Sequence, residues 1–153
     1  MKNPEIGQQT AEGIYIGQYN SLGKVFNMYA APQNMGYPIA YSITREKLAK
    51  LKNWHGFEGT NYASAKEIEQ ALTDGSYKGG WIIPTDKMLN ENVALIKKAL
   101  MKADQHNTWY WSSTPHDMFK GNIYAKRFED GYAVFEASYG AMNCRPVRLV
   151  PVN

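Results

Sequence analysis

The feature that most constrains this chain is that its apolar pattern changes period twice. From Gly13 to Ala31 the residues are β-formers: Gly13-Ile14-Tyr15-Ile16-Gly17 and Lys24-Val25-Phe26-Asn27-Met28-Tyr29-Ala30-Ala31 flank the turn-forming Asn20-Ser21-Leu22-Gly23, the pattern of a hairpin that Pro32 stops. The middle follows a helical period. Leu48 and Leu51 share one face after Thr44, and Ile68, Ala71 and Leu72 follow the capping-box pair Ser64 and Glu67 and precede the breaker Asp74-Gly75. Leu89, Val93, Ile96 and Leu100 then recur at helical spacing between Asp86 and Ala103, with Thr85 placed to cap that helix. From Trp109 onward the pattern is β again, in Trp109–Thr114, Asn122–Phe128, Tyr132–Glu136 and Cys144–Val150. Asp130-Gly131 marks a tight turn, and Pro146 marks either the start of the last strand or an edge position. Strands at both ends with helices between them predict an α+β domain whose antiparallel sheet is built from both chain ends.

Two boundaries follow. Residues 1–12 are polar, carry Pro4 and Gly7, show no period, and read as an extended arm that docks on something or stays loose. Residues 13–153 contain no repeat, linker or low-complexity tract and read as one domain, in a chain of 153 residues that can bury a core without staples. Staples are excluded in any case: Cys144 is the single cysteine, so no internal disulfide and no four-cysteine zinc site can form. Brief Trp81-Ile82-Ile83 is expected to be a buried strand ended by Pro84.

Composition removes other classes. A net charge of +3, with lysine and arginine scattered among acids, gives no stripe for nucleic acid. His55, His106 and His116 lack metal-ligand spacing and are expected on the surface or in loops, and no cofactor is expected. No apolar run is long enough to span a bilayer, and Met1 to Gln9 lack the apolar core of a secretory signal. Taken as full length, the chain is therefore expected to be made and folded in a cytoplasm. The aromatic share of 13%, with eleven Tyr and four Trp, is high enough to serve both a core and a contact surface.

Four segments, in order, carry a resemblance: Gly13-Ile14-Tyr15 with Ala30-Ala31-Pro32; Trp81-Ile82-Ile83-Pro84-Thr85; Tyr110-Trp111-Ser112-Ser113-Thr114; and Phe128-Glu129-Asp130-Gly131 leading to Arg145-Pro146-Val147-Arg148. Together they resemble the C-terminal domain of the Legionella collagen-like adhesin, a family common in bacterial surface proteins and in phage and prophage proteins. The resemblance implies a C-type-lectin-like fold, related to formylglycine-generating enzymes and to ligand-binding proteins diversified by phage retroelements. It departs from the family where Arg-Leu-Pro is usual and Ile82-Ile83-Pro84 stands, and where Met88 replaces an acidic residue. Glu-Pro-Asn and Trp-Asn-Asp, the calcium-binding sequences of true C-type lectins, do not occur, so no calcium site is expected. The enzymes of that superfamily use paired thiols, which Cys144 alone does not supply.

The residue readings divide into structure and surface. Trp81 and Trp111 are expected in the core, Trp109 is open between core and surface, and Cys144 is a buried small hydrophobe. Ser112-Ser113-Thr114 lacks a nucleophile elbow, so its hydroxyls are expected to bond backbone where the strand ends. Pro84, Gly131 and Pro146 complete the structural motif; of Arg145 and Arg148, either ties the sheet to an internal carboxylate or grips an anionic ligand. Ligand-binding candidates sit in two loops: Trp109, His116, Asp117, Met118 and Phe119 around the first, and Ser138, Tyr139, Met142 and Asn143 in the second. Phe119, Tyr139 and Met142 would give a small apolar patch with a polar rim, and the two loops are expected to converge. The leading function is a non-enzymatic binding or assembly module, a phage or prophage virion component facing a host glycan, a host protein or other virion proteins, with a homo-oligomer possible. Its expected place is the virion surface, after synthesis in the host cytoplasm. The alternative is a small-molecule enzyme of the formylglycine-generating type that has lost its paired thiols.

Overall fold

The structure, a computed structural model, describes residues 3–31, 64–91, 95–96, 109–115, 118, 122–127, 133–137 and 144–152. Among these, strands β1 (Gln9–Thr10), β2 (Gly13–Ser21) and β3 (Lys24–Ala30) come first. Helices α1 (Ala65–Asp74) and α2 (Asp86–Glu91) follow, then β4 (Trp109–Pro115), β5 (Asn122–Arg127), β6 (Ala133–Ala137) and β7 (Val147–Pro151). All pairing is antiparallel, in one sheet of order β1-β2-β3-β7 and a second of order β4-β5-β6. The chain is α+β, and its first sheet joins the two chain ends as the sequence pattern predicts. The helix expected at 45–54, most of 92–103 and the Asp130-Gly131 turn lie outside the described residues, although Leu95 and Ile96 are helical.

β2 shows how sequence parity fits the core. Ile14 and Ile16 point inward, but strict alternation would next bury Gln18 and Asn20. A bulge between Tyr15 and Gly17, with Gly17 at φ 114, inserts one residue and reverses the parity. Tyr19 and Ser21 consequently face inward while Gln18 and Asn20 are exposed. With Phe26, Met28 and Ala30 of β3 and Val147 and Leu149 of β7, these residues meet Ile68 and Leu72 of α1 and Met88 and Leu89 of α2 in one core. The turn Leu22-Gly23 has positive φ at both residues, 48 and 87, the two-residue form that matches strand twist.

The end of α1 and the start of α2 follow from their residues, and the start of α1 does not. Gly75 closes α1 at φ 81 in the left-handed region. Ser64 occupies the N-cap position with extended backbone, but its hydroxyl makes no cap hydrogen bond, so the capping box does not close. In α2 the Thr85 Oγ1 accepts from Met88 N at 3.1 Å. Met88 is fully buried and serves the core.

The outer edge of β7 is closed one donor at a time. Val147 exchanges two backbone bonds with Ile82, at 2.8 and 2.9 Å, and Leu149 N donates to the Tyr77 hydroxyl at 3.1 Å. The next outward-facing residue is Pro151, which has no N–H. Pro146 directly precedes the strand. The arm is part of the opposite edge: β1 pairs with β2, Gly7 N donates to Tyr15 O at 2.8 Å, and Asn27 Nδ2 donates to Asn3 Oδ1 at 3.3 Å. It thus docks on the chain's own sheet.

Candidate functional site

The register of the second sheet fixes where the two candidate loops begin. Pro115, the end of β4, pairs with Ile123; Ile123 pairs with Glu136, and Asn122 pairs with Ala137, the end of β6. The exits of β4 and β6 therefore lie at the same end of the sheet, on either side of β5, about 10 Å apart by two inter-strand spacings. Met118, just beyond β4, is 81% exposed. Trp109 opens β4 opposite Arg127, at the other end of the strand from these exits. His116, Asp117, Phe119, Ser138, Tyr139, Met142, Asn143 and Gly131 lie outside the described residues.

Beneath this end, the Ser113 backbone and the Thr114 hydroxyl fasten β4 to the start of α2. The pairing of β4 with β5 jumps from Trp111–Ala125 to Pro115–Ile123, so three residues of β4 stand opposite one of β5. Ser112 Oγ donates to Tyr124 O at 2.7 Å and accepts from Thr114 N at 3.1 Å, replacing the interrupted ladder. Ser113 N donates to Pro84 O at 2.8 Å, and Thr114 Oγ1 accepts from Asp86 N at 2.9 Å. Thr114 and Thr85 thus share the free N–H groups at the start of α2. Ser113 Oγ is buried without a hydrogen-bond partner among the described residues, as is Asp86 Oδ1.

The described parts of the four segments behind the resemblance are mutually joined. A Cβ on Gly13 would stand 2.6 Å from Ala30 O and 3.1 Å from the Trp81 ring, so only glycine fits there. Ala31 N donates to Pro146 O at 2.8 Å, and the buried Arg145 Nη1 donates to Ala31 O at 2.7 Å. Trp81, Pro84, Trp111, Ser112, Ser113, Arg145 and Pro146 are all buried. The two arginines take different partners. Arg145 Nη1 binds the Ala31 carbonyl from the interior, and Arg148 reaches the Glu12 carboxylate at 3.1 Å, with its guanidinium 5.6 Å from the Trp81 ring centre. Glu12 closes the arm, so this pair also pins β1 to β7.

Cys144 is buried, and burial pushes its thiol up to about 12 despite the nearby Arg145 charge, so the thiolate is suppressed at neutral pH. Among the described residues no three His, Cys, Asp or Glu side chains gather as a metal site, and no helix is long and apolar enough to cross a membrane.

One cluster escaped the sequence reading. Glu69 of α1 accepts hydrogen bonds from the Tyr19 hydroxyl and, at 2.7 Å, from Ser21 Oγ, while Lys87 Nζ stands 5.3 Å from the Tyr19 ring centre. Burial first, then the Glu69 bond and charge, raise the Tyr19 phenol far above its ordinary range. The bonded residues lie about fifty positions apart in sequence, which no local pattern reveals. No family model matches this chain, and no curated protein matches it in sequence.

Proposed function

We propose that the chain is a binding or assembly module with a C-type-lectin-like fold, a phage or prophage virion component that presents the β4 and β6 loop end to a host glycan, a host protein or another virion protein. The observation that carries this reading is the register that brings both loop origins to one end of the sheet beside the exposed Met118. Loops launched together from a rigid sheet are how lectin-like scaffolds build a contact surface. The fold assignment is supported by the sheet that joins the chain ends, with helices between, and by the contacts among the four resemblance segments. A surface role for the Ser112 and Thr114 hydroxyls is disfavoured by their bonds to backbone, and a thiol chemistry is disfavoured by the suppressed Cys144 thiolate.

Immunoblotting of purified particles tests the placement: the protein is expected in a fixed number of copies per particle, and its absence overturns the virion reading. Met118→Asp and Tyr139→Ala test the surface. Both are expected to leave the unfolding midpoint unchanged and to reduce adsorption of particles to host cells. Unchanged adsorption with both variants would remove the loop end from recognition.

A further inference from the structure

The tip of the β2–β3 hairpin is unfavourable in two ways. Leu22 is 86% exposed, the most exposed large apolar residue among those described, and it sits at φ 48, where a leucine side chain is strained. It is the only non-glycine residue with positive φ among the described residues. The turn needs positive φ at this position, and asparagine or glycine would satisfy it without an exposed apolar group. The strained turn is held in place, because Gly23 N donates to Asn20 Oδ1 at 2.8 Å.

The surface continues from the tip. Val152 N donates to Val25 O at 2.9 Å and Phe26 pairs with Pro151, so the chain's last residues run beside the hairpin at its tip end. By alternation with the buried Phe26 and Leu149, Val25, Val150 and Val152 share the face of the sheet turned away from the core. Val25 and Val150 are half-buried and Val152 is 38% exposed. Charges of both signs surround the hairpin neck. Lys24 Nζ donates to Thr73 O at 2.8 Å beside Asp74, whose carboxyl is held below its ordinary value first by its bonds to Ser76 and in smaller part by Lys24. Lys87 stands 3.5 Å from Asn20 O and 3.9 Å from Glu91.

We infer that this tip, with Leu22 at its centre and the valine strip beside it, is a self-association surface that binds the same tip of a second copy of this chain about a two-fold axis. A two-fold contact must be complementary to itself, which requires an apolar centre and a rim carrying both charges in balance. Lys24 and Lys87 against Asp74 and Glu91 give that balance, whereas a rim selecting a strongly charged partner would carry one sign. Each two-fold contact would bury two Leu22 side chains, one from each copy.

Sedimentation equilibrium of the isolated protein in buffer tests the inference without any particle or host, so its outcome is separate from that of the loop-end proposal. The wild-type protein is expected to dimerise. Leu22→Asn removes the apolar anchor while giving the turn a residue it favours, so it is expected to melt no lower than wild type and to weaken the dimer about a hundredfold or more. Val152→Asp is expected to weaken the dimer as well, and Met118→Asp to leave it intact. Wild-type protein that stays monomeric up to about 1 mM overturns the inference, as does a Leu22→Asn variant that dimerises like wild type.

Discussion

Replacing Ser112, Ser113 and Thr114 one at a time should give three different results from three adjacent hydroxyls. Ser112→Ala removes the partner of both Tyr124 O and Thr114 N at a residue with no exposure, and each buried group left without a partner costs roughly 1–3 kcal/mol. About 2–4 kcal/mol in total is expected, a large fraction of the roughly 5–15 kcal/mol that holds a domain together. Thr114→Val keeps the side-chain shape and removes the acceptor for Asp86 N, the loss of one cap contact, worth about 0.5–2 kcal/mol. Ser113→Ala deletes a buried hydroxyl that has no partner among the described residues, so it should be neutral within about 0.5 kcal/mol or slightly stabilising. Urea unfolding followed by tryptophan fluorescence measures all three. The midpoint should shift by about 2–4 °C per kcal/mol in parallel thermal melts. A Ser113→Ala loss equal to or greater than that of Ser112→Ala would refute the assignment of these hydroxyls to the strand bulge and the helix cap.

Trp111→Ala should cost roughly 3–5 kcal/mol in the same urea assay, because the indole is fully buried; a loss below about 1 kcal/mol would contradict that burial. Cys144 gives a pH dependence. Its thiol lies at about 12 in the folded protein against 9.0 ordinarily, so the folded state holds its proton more tightly; the resulting stability is complete below about pH 9 and is lost as pH rises toward 12. Native protein at pH 8 should resist thiol reagents that label it at once in denaturant, and rapid native labelling would show that the residue is accessible.

What the sequence made legible was local. The β2–β3 hairpin, α1 with its Gly75 stop, the Thr85 cap and the last strand after Pro146 each follow from residues within about ten positions of one another. The burial of Trp81 and Trp111 followed from apolar strand context. The misses share a different cause. The unformed Ser64 cap and the Gly17 bulge depend on how a neighbouring element lies, and the Glu69 bonds to Tyr19 and Ser21 depend on α1 settling across β2. Gln18 and Asn20 carried the one available signal of the bulge: two polar residues at inward parity in a strand otherwise committed to the core.

The candidate surface was legible only as far as strand order allowed. A meander of three antiparallel strands must place the exit of its first strand and the exit of its third at the same end, so the shared end of the two loop origins follows once β4, β5 and β6 are read as consecutive neighbours. The roles of Arg145 and Arg148 could not be separated the same way. Three residues apart at the start of a closing strand, they were equal candidates for a carboxylate, and the partner that Arg148 takes is Glu12, which sequence reading assigns to an arm outside the domain. The arm is instead the edge strand of the first sheet. Glu12 at its end pairs with Arg148 across that sheet, and Arg148 in turn lies over Trp81, whose ring fits against Gly13. One residue of the presumed arm thereby completes the packing of three of the segments that carry the family resemblance. Any partner that took residues 1–12 would have to break the Glu12 contact and the β1 pairing first, and so would bind against the stability of the sheet.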